Sequence, residues 1–307
     1  MSPQDGSGFL DFHEDEQRAQ ALAGQQRGGR AAIRPFMPDQ HREFFALLPY
    51  LFVATLDERG WPMASALTGA PGFIRSPDPV TLRIEALPAP HDPAAPTFTP
   101  DAEVGLIGLD FTTRRRNRAN GFLAAVDDGL TIGISQSFGN CPQYIQTRAP
   151  EPRAAANAPA ERLDRLDDAA RALIAASDTF FVASRARAGI DEGGLDMSHR
   201  GGKPGFVGVT GDTLAIPDFR GNRFYNTLGN LLGDPRAGLL FIDFASGDIL
   251  QLQGRVSIDW HPHGSGPAGA ERLWRVNIER AWRRRGAFPF AWTFGAYAPT
   301  TLATGTW

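Results

Sequence analysis

The sequence predicts a mainly β protein of the α+β class, organised as two copies of one unit. Its 307 residues include 34 glycines and 24 prolines, a density of turn-forming residues typical of many short strands. Short apolar runs are bounded by polar loops, as buried strands are. The third observation is an internal repeat, in which similar segments recur in the same order along the chain.

Pairs of matched segments carry this repeat. Pro71–Ile74 recurs as Pro204–Val207, and Val104–Phe111 recurs at the same offset of 133 positions as Ala237–Phe244. Shorter matches are Phe52-Val53-Ala54 with Phe181-Val182-Ala183, and Thr81-Leu82-Arg83-Ile84 with Thr213-Leu214-Ala215-Ile216. Several matches in one order at nearly constant spacing indicate a duplicated structural unit.

The elements of the first unit follow from local pattern. Residues 1–30 show no clear period, so we interpret them as an N-terminal arm, mobile or wrapped on the protein. The first unit, residues 31–149, opens with a helix that begins at Pro38-Asp39. Strands are predicted over Leu51–Leu56 and over Val104–Phe111, and the second is predicted to be central because it contains no proline.

The second unit, residues 161–262, follows a linker at 150–160 that is rich in Ala and Pro. Helical spacing of apolar residues predicts a helix over Ala158–Ser177, ahead of strands at Thr179–Ala183 and Ala237–Phe244. Residues 263–307 are predicted to form a C-terminal helix, over Ala270–Arg285, and an aromatic tail.

Charge and cysteine content narrow the function classes. The 31 basic and 34 acidic residues give a net charge of −3, which argues against nucleic acid or an acidic membrane as a partner. The single cysteine, Cys141, excludes an intrachain disulfide and lies in a turn-like setting that favours a structural role. His261 and His263 flank Pro262, which favours a loop, so we expect no metal site. No apolar run is long enough to span a bilayer and the N-terminus lacks a signal pattern, so we expect a cytoplasmic protein.

The clearest functional signal is a difference between the two copies. Ahead of the shared Pro-Gly-Phe, the first unit reads Ser65-Ala66-Leu67-Thr68-Gly69-Ala70 and the second reads Ser198-His199-Arg200-Gly201-Gly202-Lys203. Three apolar positions of the first unit have therefore become basic in the second. Basic groups beside a glycine pair suit an anion such as a phosphate, although a solvated basic hairpin is the alternative.

A second difference follows the Thr-Leu-x-Ile strand. The first unit continues into Leu87–Pro100, a loop with five prolines and no evident site chemistry. The second unit continues through Asp218, Asn222, Arg223, Asn226 and Thr227, a group of hydrogen-bond donors and acceptors. If a helix begins at Arg223, then Arg223, Asn226 and Thr227 share one face, and its N-terminus favours an anion. An ordinary Gly-Asn turn with a capped helix is the alternative.

These segments resemble those of the pyridoxamine 5′-phosphate oxidase-related flavoproteins. The resemblance rests on residues 198–207, Ile216-Pro217-Asp218, Gly221-Asn222-Arg223 and the run from Asn230 to Ile242, while Ser137–Pro142 together with Tyr144 resembles a segment of two-repeat members. It implies two tandem split β-barrels of the FMN-binding type with flanking helices, bound FMN, and a homodimer. It also implies FMN-dependent oxidoreductase activity, with a small-molecule substrate or electron donor as partner, because the flavin supplies the redox chemistry.

The predicted cofactor-binding residues combine the resemblance with the comparison of the two units. They are Ser198, Arg200, Lys203, Ile216, Asp218, Asn222, Arg223, Asn226, Thr227 and Gln251. The resemblance puts Asp218 near the flavin ring and Arg223, Asn226 and Thr227 near the phosphate. Gln251 comes from the strand that matches the arginine-rich run Arg114–Arg118 of the first unit. No catalytic residue is predicted.

The sequence also departs from the family. The strand Phe206-Val207-Gly208-Val209 lacks the Arg and Lys that true pyridoxamine phosphate oxidases carry before Ile-Pro-Asp, and Ile249 stands where they have Gln. Both departures argue against pyridoxamine phosphate as the substrate. Two alternatives therefore stay open: a non-catalytic module that binds flavin, deazaflavin or haem, and a pseudo-dimer without a cofactor. For the run Arg114–Arg118, the predicted counterparts are acidic side chains of the other unit or a ligand phosphate.

Overall fold

A computed structural model describes residues 8–25 and 32–307 and confirms a mainly β protein with antiparallel sheets. Helices α1 (Glu14–Leu22) and α2 (Asp39–Ala46) precede the first sheet. That sheet has seven strands: β1 (Tyr50–Leu56), β2 (Pro62–Thr68), β3 (Ile74–Asp78), β4 (Thr81–Ile84), β5 (Glu103–Asp110), β6 (Arg115–Val126) and β7 (Leu130–Gly139). They lie in the order β2-β1-β5-β6-β7-β4-β3.

The second half begins with short elements at its edge. They are β8 (Arg148–Pro152), β9 (Glu161–Leu163) and α3 (Asp168–Ala176). Helix α3 starts where it does because the side chain of Asp167 accepts a hydrogen bond from the backbone N–H of Ala170, which caps the first turn.

The second sheet contains seven further strands, and one helix lies between two of them along the chain. They are β10 (Thr179–Arg185), β11 (Leu195–Gly201), β12 (Gly208–Thr210), β13 (Thr213–Phe219), α4 (Asn226–Gly233), β14 (Arg236–Ile242), β15 (Ile249–Asp259) and β16 (Ala270–Arg284). Their order is β11-β10-β14-β15-β16-β13-β12, and β9 also pairs with β16. The chain ends with β17 (Phe290–Phe294), which pairs with β8, and α5 (Pro299–Leu302).

The two seven-strand arrangements have the same strand order and the same register. In the first half Ile107 pairs with Arg118, and in the second Leu240 pairs with Gln251. Likewise Val53 pairs with Ser65 and Val182 pairs with Ser198. Strand position therefore makes Ser65 equivalent to Ser198, and Arg118 equivalent to Gln251.

A shared irregularity strengthens this equivalence. The register shifts after Asn120 in the first half and after Gln253 in the second. Gly121 and Gly254 follow these positions, and a Cβ on Gly121 would overlap the carbonyl oxygen of Gly133. Only glycine therefore fits beside this bulge.

The halves pack face to face around an aromatic core. Phe52 stacks on Phe181 at 3.7 Å between ring centroids, and both side chains are fully buried. Ile107, Leu240 and Phe288 belong to the same cluster. Each half also has its own apolar core on the outer face of its sheet.

One predicted element is wrong. The C-terminal helix predicted over Ala270–Arg285 is strand β16, in which exposed residues alternate with a buried and a half-buried residue from Arg275 to Glu279. Because β16 lies between β15 and β13, the second sheet extends well past residue 262.

Two other predicted segments have different bounds or structure in the protein. The helix predicted over Ala158–Ser177 is confined to α3, and its first part contains β9. Within the predicted arm, α1 packs against α4, while residues 1–7 and 26–30 of that arm lie outside the described residues. No helix in the described chain has the length and apolar character to cross a membrane.

Candidate functional site

A cavity of about 100 Å³ lies where β11 and the start of α4 meet β6 of the first half. Seven of the predicted cofactor-binding residues line it: Ser198, Arg200, Asp218, Asn222, Arg223, Asn226 and Thr227. The structure thus brings together residues of the second half that are up to 29 positions apart in the sequence.

Strands β11 and β13 supply one wall of the cavity. Arg200 on β11 donates a hydrogen bond to Asp218 Oδ1 at 2.5 Å, and Arg272 donates to Asp218 Oδ2 at 2.8 Å. Asp218 is therefore clamped between two guanidinium groups, which hold its carboxylate in place. Arg272 also pairs with Glu271 at 2.6 Å, so two carboxylates balance the two cations of this wall.

Strand β6 of the first half brings two more arginines, Arg116 and Arg118. Arg118 lies 3.4 Å from Asp196, so an acid of the other half does face the arginine-rich run. Burial lowers the pKa of Arg116 to about 10, which still leaves it charged at neutral pH. Arg114, by contrast, donates to the backbone carbonyl of Ile145, outside the cavity.

His199 is a buried neutral base beside Arg116. Burial, followed by the charge of Arg116, lowers the pKa of His199 well below its usual value. Arg116 Nη1 lies 3.0 Å from His199 Nδ1, and because a guanidinium can only donate, Nδ1 accepts and the ring proton sits on Nε2. That Nε2 has no hydrogen-bond partner among the described residues. It is a buried donor on a residue that lines the cavity.

The segment before α4 closes the cavity with an unusual backbone. Arg223 and Tyr225 have φ of 63° and 60°, in the left-handed region, and Asn222 Oδ1 accepts a hydrogen bond from the N–H of Phe224 at 3.1 Å. This turn brings Thr227 to Ser198, whose Oγ accepts a hydrogen bond from Thr227 Oγ1 at 2.8 Å. The Ser198 hydroxyl proton is then free to be donated into the cavity.

The electrostatics of the cavity favour an anion. Five arginines line it, and three of them pair with carboxylates: Arg118 with Asp196, Arg200 with Asp218, and Arg272 with Asp218 and Glu271. Among residues 8–25 and 32–307, no carboxylate pairs with Arg116 or Arg223. A phosphate or carboxylate of a ligand is the natural complement of this arrangement.

A wider groove of about 800 Å³ adjoins the cavity and shares Asn222, Arg223, Tyr225 and Arg272 with it. Three more aromatic side chains, Phe12, Phe224 and Trp260, also line the groove. Planar rings bind well to such surfaces. The cavity is smaller than the ~300–1,000 Å³ usual for ligand sites, and the groove supplies the remaining room.

Three predicted residues lie elsewhere. Ile216 is fully buried in the core of the second half, and Lys203 donates to the backbone carbonyls of Leu302 and Thr304. Gln251 is buried between the halves, where it donates to Asp92 and to the carbonyl of Ala64. None of the three lines the cavity, because their side chains are engaged in packing and in joining other segments.

Residues outside the prediction also line the site. Tyr144 and Arg272 come from the segment after β7 and from β16, and Asn140 follows β7 directly. Arg272 had no signal in the sequence because the pattern of β16 also suits a helix. The sequence indicated the runs Arg114–Arg118 and Ser137–Pro142 as unusual segments. That both runs line the cavity follows from the sheet register, which the sequence does not show.

No protein-family model matches the chain, and no curated protein matches it. Solved structures similar to it include HupZ of Group A Streptococcus, at 12% identity over 43% of this chain and 99% of that one, with a TM-score of 0.31. A variant of HupZ with one histidine replaced by alanine is similar at 11% identity over 38% of this chain and 98% of that one, with a TM-score of 0.30. A FAD-binding protein of Mesorhizobium loti is similar at 12% identity, over 41% of this chain and 97% of that one, with a TM-score of 0.27. Likeness at this level does not extend to ligand or activity.

Proposed function

We propose that this protein binds FMN in the cavity between its halves and acts as an FMN-dependent oxidoreductase. The observation that carries the proposal is a pair of arginines without a carboxylate partner in the described chain, Arg116 and Arg223, in a partly enclosed cavity that opens into an aromatic groove. A ligand with a terminal phosphate and a planar ring system matches both parts. The equal strand order and register of the two halves support the finer proposal of two tandem FMN-type split barrels.

The residues fit the phosphate of such a ligand. Arg116 and Arg223 carry charges that no described carboxylate neutralises, and arginine binds phosphate through paired N–H donors. Ser198 and His199 Nε2 each offer a neutral donor in the same cavity. Because Arg116, Ser198 and His199 are buried or held by neighbours, they are oriented before the ligand arrives.

The ring system would extend into the groove beside Tyr225 and Trp260. When bound, the flavin supplies the redox chemistry, by accepting or donating a hydride or single electrons. The chain's own part is to hold the phosphate, to keep water from the buried side, and to set the positive potential of the site. The substrate is proposed to be a small molecule other than pyridoxamine phosphate, since the strand at residues 206–209 lacks the basic pair of those oxidases.

The visible spectrum of the purified protein tests this proposal directly. We expect the absorption of an oxidised flavin, or its appearance after incubation with FMN and removal of the unbound ligand. Anaerobic addition of NADH or NADPH then tests the oxidoreductase step, with bleaching as the expected result. A colourless protein that takes up no FMN would contradict the proposal, and a Soret band would favour the haem alternative instead.

A further inference from the structure

Asp92 is a buried carboxylate between the halves, in the proline-rich loop that carried no evident site chemistry. It is 3% exposed and accepts hydrogen bonds from three side chains. Ser65 Oγ donates to its Oδ2 at 2.6 Å, Gln251 Nε2 donates to its Oδ1 at 2.8 Å, and Arg284 Nη1 donates to its Oδ2 at 2.6 Å. These donors come from β2 of the first half and from β15 and β16 of the second.

The three donors occupy the positions that correspond to the lining of the arginine-rich cavity. The strand registers make Ser65 equivalent to Ser198 and Gln251 equivalent to Arg118. Arg284 on β16 pairs with Ile249 on β15, and Ile249 is equivalent to Arg116 on β6. Because Asn117 pairs with Gly139, the residue opposite Arg116 is Asn140. Arg284 therefore corresponds to Asn140. Ser198, Arg118 and Asn140 all line the cavity.

We infer that the protein contains a second copy of its anion site, and that the carboxylate of Asp92 permanently fills it. The two sites are related by the repeat. The site of Asp92 combines β2 of the first half with β15 of the second, and the arginine-rich cavity combines β11 of the second half with β6 of the first. In one copy the position of the anion is left to a ligand. In the other copy the chain supplies its own anion, so each chain takes up one ligand molecule rather than two.

The loop around Asp92 is shaped to hold this carboxylate in place. Asp92 Oδ1 also accepts a hydrogen bond from the N–H of Ala94, and the backbone of Ala95 donates to the carbonyl of Asp92. Prolines at 88, 90, 93, 96 and 100 restrict the loop in the unfolded chain as well. In the second half, the connection between the equivalent strands instead forms α4 and the wall of the open cavity.

Chemical rescue tests the inference. Asp92→Gly removes the carboxylate and leaves Arg284 buried without its partner, so we expect a lower midpoint of thermal unfolding. Sodium formate should restore that midpoint along a saturating curve, beyond the effect of sodium chloride at equal ionic strength. In the control Asp92→Gly/Arg284→Met the cation is gone, and formate should act no better than chloride. A formate response that is absent from the single variant, or equal in both variants, would overturn the inference.

A second variant keeps the test decisive if Asp92→Gly does not fold. Asp92→Asn preserves size but not charge, so it should unfold at a lower temperature than the wild type and show no rescue by formate, because the amide fills the site. Wild-type stability of Asp92→Asn would contradict a bound carboxylate at this position. Both tests are read from unfolding without FMN, so they stand or fall independently of the proposed flavin site.

Discussion

Arg116 and Arg223 are the two cations of the cavity whose charges no described carboxylate balances, and they reach it in different ways. Arg116 is held from one side, because its Nη1 bonds to His199 in the interface of the halves. Arg223 extends from a turn and is exposed, and its side chain makes no hydrogen bond within the described chain. One is a fixed part of the cavity and the other is free to close over a bound anion.

Arg223→Ala should therefore weaken FMN binding without weakening the fold. A hydrogen bond to a charged group contributes about 1.5–3 kcal/mol, so we expect the Kd for FMN to rise by roughly 10-fold or more. Fluorescence titration of the apoprotein with FMN measures this change, and thermal unfolding checks that the fold is intact.

Arg220→Ala is the matched control for that substitution. Arg220 is an exposed arginine three positions upstream and is not part of the cavity lining. It should leave the Kd within about twofold, since the charge of an exposed side chain outside the cavity is screened by water and salt. Equal losses in both variants would show general electrostatic attraction, and no loss in Arg223→Ala would place the phosphate elsewhere.

At the scale of elements, the sequence allowed the strands β1, β5, β10 and β14 and helix α2 to be predicted, because their apolar runs and start signals are local. It did not allow β16 to be predicted, since Leu273, Trp274 and Val276 also suit a helical face. Nor did it allow the roles of Gln251 and Asp92 to be predicted, because each of these residues has its partner on the other half. Seven of ten candidate residues meet in the cavity because they belong to two neighbouring segments of one half.

Helix α1 is an element whose docking depends on one buried carboxyl. Glu16 accepts hydrogen bonds from Asn226 at the start of α4 and from the N–H of His13. Burial, followed by the nearby charge of Asp196, raises the pKa of Glu16 to about 8. The folded protein thus keeps this proton at a pH where the unfolded chain has lost it.

The sign of the resulting pH dependence follows from linkage. Between pH 7 and 8 the native state binds more protons at Glu16 than the unfolded state does, so Glu16 makes stability fall as pH rises, by roughly 1.4 kcal/mol per pH unit at most. Urea unfolding at both pH values measures this. Glu16→Gln should remove this contribution and make the slope less negative, whereas Glu14→Gln, at an exposed position of the same helix, should leave the slope unchanged. A slope that is unchanged in Glu16→Gln would contradict this assignment.

At the scale of the whole molecule, the candidate site belongs to neither half alone. Arg116 and Arg118 come from the first sheet, and Ser198 and Arg223 come from the second half. The halves are joined by the stacked pair Phe52 and Phe181 and by ion pairs such as Arg185 with Glu103 at 2.6 Å. The relative position of the two sheets therefore sets the geometry of the cavity.

An interface substitution should consequently reduce both stability and ligand affinity. Phe52→Ala removes a fully buried ring between the halves, and we expect a loss of about 3–5 kcal/mol in the free energy of unfolding. We also expect a higher Kd for FMN at temperatures where the variant is still folded, because the two walls of the cavity are no longer held in register.

Leu82→Ala provides the comparison, because Leu82 is fully buried in the separate core of the first half and does not belong to the interface cluster. It should cost about 2–5 kcal/mol of stability and leave the Kd for FMN of the folded protein unchanged. Chemical unfolding and FMN titration of both variants measure the two quantities. If both lose affinity equally, binding follows overall stability, and if neither does, the cavity does not depend on how the halves are packed.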